Sequence, residues 1–140
     1  MPHSDQVNWQ PISEMPLIAS MIDCALDDTR GHIATLTKAR AQPHVLDDAT
    51  LDRSERVHNE QLEFVGIYRQ QIRRWRTEKP TPDQRRELDR MDQQNRQLRA
   101  VTAEVLALAR ELRSGTIDRV MEMSDLELGL QALLGNRPDR

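Results

Sequence analysis

Four histidines, at positions 3, 32, 44 and 58, are the residues of this chain best suited to metal binding or proton transfer. A zinc site built on one helix takes two ligands three or four residues apart, so that both rings leave the same face. No two histidines here stand at that spacing. His32 and His58 fall in separate predicted helices and could meet across a bundle, with Asp28, Glu60 or Glu63 nearby. Unrelated seam-edge positions explain them more simply. The adjacent carboxylates Asp27/Asp28 and Asp47/Asp48 point about 100° apart on a helix and share no site. Dipole compensation and capping account for them. There is no glycine-rich phosphate loop, and no serine or threonine has a histidine at a recognisable nucleophile spacing. Neither enzymatic activity nor a metal or other cofactor is expected.

Charge offers a different chemistry. Residues 69–90 carry eight basic and four acidic side chains, a net of +4 in a chain whose total is −3. Residues 1–68 net −6 and residues 91–140 net −1. Arg73, Arg74, Arg76, Arg85 and Arg86 surround Trp75, and arginine beside an aromatic ring can hold phosphate and stack on a base. A candidate anion or nucleic-acid patch therefore sits at one end of the molecule. The simpler account is that these arginines answer a helix dipole and pair with nearby acids, and burial of Trp75 between two helices is expected. Nucleic acid is the secondary reading of function.

A third pattern is Leu130-Gln131-Ala132-Leu133-Leu134, which has the L-x-x-L-L form. With Leu126 it puts leucines on one side of a helix, the arrangement that fills a partner's groove. Leu126, Leu130, Leu133 and Leu134 are the candidate protein-partner surface.

The elements that must position these residues are helices. Prolines stand at 2, 11, 16, 43, 80, 82 and 138 only, leaving long proline-free windows rich in Leu, Ala, Arg, Glu and Gln. The spacing predicts helices over 16–41, 49–78 and 82–114, about 39, 45 and 50 Å long. In the first, Ile22, Leu26, Ile33 and Leu36 form a stripe completed by Thr29; Gly31 is a cost that either a close helix crossing or nothing at all explains. In the second, Leu51, His58, Val65 and Ile72 recur every seven residues, with Tyr68 and Trp75 between. Val57, Leu62, Phe64 and Ile67 widen that stripe toward two neighbours. Thr81-Pro82-Asp83-Gln84 is a capping box with proline at the first helical position.

The third helix carries Leu88, Met91, Asn95, Leu98, Thr102, Val105, Ala109 and Leu112, alternating by three and four over four heptads. That is a coiled-coil seam. Asn95 occupies a place where an apolar residue is expected, so it is assigned a register-setting role. Val101, Leu106 and Leu108 broaden the seam's second half. After Ser114-Gly115 a short turn of helix over 116–123 is expected. A separate helix over 125–134 follows, opened by Ser124-Asp125-Leu126-Glu127 and stopped at Gly135.

The fold class is therefore all-α: an up-down-up antiparallel bundle of three long helices plus a short C-terminal helix. Residues 1–15 form an extended arm, pinned by Trp9 and Ile12; residues 16–135 are the bundle and residues 136–140 a polar tail. Cys24 lies beside Ala25 and Leu26 and is expected to be a buried, inert thiol. No apolar run approaches the ~20 residues of a membrane span, and the first ten residues are polar, so a cytoplasmic, membrane-free protein is expected. A slender rod of this size has apolar surface to spare, and a homodimer is expected to cover it, alongside an unknown protein partner.

Overall fold

A computed structural model describes residues 7–42 and 45–134. His3, Pro43, His44, the outer part of the arm, the Gly135 stop and the 136–140 tail lie outside those residues. Four α-helices dominate the described residues: α1 (Met15–Ala39), α2 (Asp48–Arg76), α3 (Pro82–Leu112) and α4 (Ile117–Leu134). Single turns of 3-10 helix, Ile12–Glu14 and Arg113–Gly115, precede α1 and α4. No strand occurs among the described residues.

The helix starts follow their local chemistry. Asp47 caps α2 by accepting from the Thr50 N–H at 2.8 Å. At α3 the capping box closes in both directions: Thr81 Oγ1 accepts from Gln84 N–H at 3.1 Å, and Gln84 Oε1 accepts from Thr81 N–H at 2.9 Å. Pro16 falls in the first turn of α1, where a missing N–H costs nothing.

Cross-helix pairs set the directions. Asp23 meets Arg90, and Arg40 meets Glu111, so α1 and α3 run parallel. Arg76 meets Asp89, and Arg113 meets Glu55, so α2 runs antiparallel to α3. This is the up-down-up bundle. All eight residues of the α3 seam are buried. α3 packs closely on both α1 and α2, whereas α1 and α2 stand further apart and are bridged by side chains.

The core divides in two. One apolar cluster joins Ile22, Leu26, Ile72, Trp75, Leu88 and Leu98, among others. The second joins Leu36, Leu51, Val105, Leu108, Ala109 and Leu112. A polar layer lies between them. Gln61 on α2 donates both amide hydrogens, to Thr29 Oγ1 on α1 and Thr102 Oγ1 on α3, each at 2.8 Å. The two threonine hydroxyls donate in turn to carbonyls one turn back, Ala25 and Leu98. Each hydroxyl thus both gives and receives, so the layer leaves no orphaned threonine.

Two expectations need correction, and one open alternative is decided. Cys24 is exposed, because a step of 100° per residue turns it away from Ile22 and Leu26 however apolar its sequence neighbours. The C-terminal segment is one continuous helix; Ser124 is an interior residue of α4, and its capping box is not used. Gly31 marks no close crossing, since a Cβ built there meets nothing within 4 Å. The last point yields a test. Gly31→Ala relieves the backbone-entropy cost of glycine in a helix interior without a clash, so it raises unfolding free energy by about 1 kcal/mol. Urea denaturation measures this, and a loss of stability would show that α1 is not helical at that point.

Candidate functional site

The predicted basic patch is only partly assembled. Arg73, Arg74, Arg76, Arg85 and Arg86 are all exposed. Trp75 is not: its ring is fully buried in the first apolar cluster, and its Nε1–H donates to the Gln10 carbonyl at 2.9 Å. It therefore presents no surface on which a base can stack. The Arg74 guanidinium lies over Trp9 instead, 4.2 Å from the ring centroid. Gln71 exchanges hydrogen bonds with the Gln10 backbone, so the arm lies along this end of α2. Arg76 is paired with Asp89 and Arg86 with Asp83. Arg73 and Arg85 make no ion pair among the described residues.

Asn95 faces α2. Its Nδ2 donates to the Val65 carbonyl at 3.0 Å, while its Oδ1 is buried without a partner in the protein. A buried acceptor left unmade costs free energy that an apolar side chain of similar size avoids.

The histidines meet. His32 and His58 stack with ring centroids 5.0 Å apart and planes 18° from parallel. His58 Nδ1 lies 2.6 Å from the Ser54 carbonyl, which can only accept, so His58 carries its proton on Nδ1. The Ser54 hydroxyl and His32 Nε2 are hydrogen-bonded at 2.9 Å, with the donor set by the His32 tautomer. Burial, and then the His58 ring, push the His32 pKa below its ordinary value. These groups, with Asp28, Thr50, Arg53 and Val57, line an open groove of about 390 Å³ between α1 and α2.

The sequence reading missed two features here. Glu55 and His58 have the Glu-x-x-His spacing of di-metal bundles, which require that pattern on two helices. It occurs once, and Glu55 is paired with Arg113. Among the described residues no three His, Cys, Asp or Glu side chains gather to hold a metal. The Ser54–His32 contact is half of a nucleophile–base arrangement, but no described carboxylate orients the His32 ring. Side-chain reach across the groove, rather than spacing along the chain, brings these groups together.

Leu126 and Leu133 of α4 are the most exposed large apolar residues among those described. Leu126 is 70% and Leu133 73% exposed, Leu130 is exposed, and Leu134 is 39% exposed. Only the start of α4 is held. The Ile117 N–H donates to the Leu46 carbonyl, Thr116 Oγ1 donates to Asp48, and the Asp48 N–H donates to Asp118. Beyond that turn an open cleft of about 830 Å³, lined by Arg110, Arg113, Met123 and Leu126, separates α4 from the end of α3. No described helix is long and apolar enough to cross a membrane.

No family model matches the chain, and neither a curated protein nor a solved structure matches it. The geometry is the whole basis for a functional reading.

Two measurements probe the polar seam. Above pH 6.5, the ordinary value for His32, the ring is neutral in both folded and unfolded chains. Between 6.5 and the lower folded value, the unfolded chain binds a proton that the fold does not. Stability therefore falls as pH drops through that window and levels below it. His32→Asn flattens this part of the profile; equal slopes in urea midpoints for both proteins would exclude His32 as the source. Separately, Asn95→Leu removes the orphaned acceptor and raises stability by about 1 kcal/mol in thermal melting. A drop of that size would mean that Oδ1 is satisfied in solution.

Proposed function

We propose that the protein is a non-enzymatic helical interaction protein, of the adaptor, assembly-factor or small-chaperone class, that works by docking α4 into a helix-receiving groove. A second copy of the chain is its first partner, giving a homodimer. The observation that carries this reading is α4 itself: nine large apolar side chains stand exposed on a helix anchored only at its first turn. A helix apolar around most of its circumference belongs inside an assembly. Soluble chains seldom leave a patch of that size in water, and two-fold pairing is the commonest way to cover it.

The eight seam positions of α3 are already buried in its own bundle, so the docking role falls to α4. The nucleic-acid alternative loses its stacking platform with Trp75 in the core. Cytoplasmic location belongs to the same reading, and the single cysteine of the sequence is in keeping with it.

Sedimentation at micromolar concentration tests the proposal. The chain is expected to run at twice the 16.2 kDa of one copy. Leu126→Glu combined with Leu130→Glu is expected to return it to a monomer without lowering the melting temperature of α1–α3. A wild-type chain that stays monomeric across the concentration range would overturn the reading.

A further inference from the structure

The bundle leaves one of its three faces unfinished. α3 closes against α1 and against α2, but α1 and α2 are held apart by the side chains that bridge them. The groove between them has a polar floor of Thr29, His32, Ser54, His58 and Gln61. Its lips are apolar. Leu17, Met21, Cys24 and Asp28 are spaced by four, three and four, so they share one face of α1, and Asp28 lines the groove. On α2 the same spacing links Val57, Gln61, Phe64 and Tyr68, and Val57 and Gln61 line the groove. Leu17, Met21, Val57 and Phe64 are exposed, which is unusual for apolar residues at the junction of two helices. Such a face lacks a fourth helix.

α4 has the pattern of that missing helix. At 100° per residue, Met123, Leu126, Leu130 and Leu133 form one seam with three-four-three spacing. Ile117, Met121 and Leu128 form a second on the opposite side. Asp118, Glu122 and Asp125 make a narrow acidic stripe between the seams. On the remaining side Val120, Glu127 and Leu134 follow at intervals of seven. A helix with two opposed seams sits between two others. If its acidic stripe faces water, Glu127 points into the groove.

We infer that α4 of a second copy occupies the α1–α2 groove, and the reverse, so that each half of the dimer becomes a four-helix bundle completed by its partner. This rests on the reading of α4 as a docking arm. Two observations favour the second copy over other occupants. The first is charge: Glu127 meets a groove lined by Arg53, which makes no ion pair among the described residues, against the single carboxylate of Asp28. Val120 and Leu134, seven residues to either side of Glu127, sit about 10 Å from it. Met21 and Asp28 on α1 have the same separation. The second is area. Nine side chains, from two-fifths to three-quarters exposed, offer roughly 60 Å² of apolar surface each, on the order of 1,000 Å² from two arms. With the groove lining added, that reaches the ~1,200–2,000 Å² of a stable interface.

The test uses Cys24, exposed on the α1 lip and the only cysteine of the chain. Wild-type protein is mixed with Cys24→Ser chains that carry a single cysteine in place of Met121, Met123, Leu128 or Leu130, and the mixture is mildly oxidised. A mixed disulfide dimer is expected at one or two of these positions, and none with Glu122→Cys on the acidic stripe. Met21→Glu and Phe64→Glu, both at exposed sites, are expected to weaken dimerisation at least 100-fold while the bundle melts normally. Glu127→Gln is expected to weaken it about tenfold. If sedimentation shows a dimer that forms no such disulfide and ignores the lip variants, the groove assignment fails and the docking-arm reading stands. If single chains carrying Cys24 and an α4 cysteine close internally, α4 folds back in cis and the exchange is wrong. A persistent monomer overturns both readings.

Discussion

The architecture turns on the amide of Gln61. Among the described residues it is the one side chain whose two hydrogens each satisfy a different neighbouring helix, Thr29 on α1 and Thr102 on α3. Sliding any of the three helices by one turn, about 5.4 Å, would break at least one of these bonds and bury an unpaired amide or hydroxyl. Apolar clusters alone do not impose that precision, because leucines tolerate many packings of similar energy. Placed between the two clusters, the polar layer fixes how the seams above and below it align.

The same layer explains why the bundle is open on one side. Between α3 and its neighbours the seams are mainly apolar, and the helices come together. Between α1 and α2 the bridging groups are long or polar: Gln61 to Thr29, His32 to Ser54, and the stacked imidazoles. Two rings 5.0 Å apart and a glutamine side chain hold backbones further apart than interdigitated leucines do. The groove is thus a direct consequence of the interactions that set the register. Arg90 reinforces the closed side: it bridges Asp23 on α1 and Glu87 on its own helix, and its hydrogen bonds hold the Asp23 carboxyl below the usual carboxylate range.

The fold was legible in the sequence where one rule acted alone. The three-four alternation of α3 picks out eight positions, and all eight are buried. Thr81–Gln84 reads as a capping box and closes as one. Legibility failed where two rules competed. Ser124–Glu127 has the capping pattern, but a helix is already propagating through Met121–Met123, and extending it by one residue costs far less than stopping and nucleating again. Cys24 sits in an apolar run, yet helical rotation outranks sequence neighbourhood. By contrast, the burial expected of Trp75 is observed: an indole in the core with its N–H bonded to Gln10 is more stable than one left in water among arginines. The histidine stack and the Gln61 clamp left no local signature, because each joins residues between 26 and 41 positions apart through side-chain reach alone.

The exposed helix and the unfinished face are two sides of one energetic problem. An isolated helix of 18 residues is only marginally stable in water, and Gly129 in its interior subtracts about 1 kcal/mol more. Anchoring at Leu46 and Asp48 supports the first turn but adds no burial beyond it. The ordering cost of α4 must then be met by whatever covers its leucines, so docking and helix formation belong to a single equilibrium. An arm that drew its stability from its own bundle would have no reason to expose leucine on both sides. The distribution of apolar residues around α4, more than their number, is what points outward from the chain.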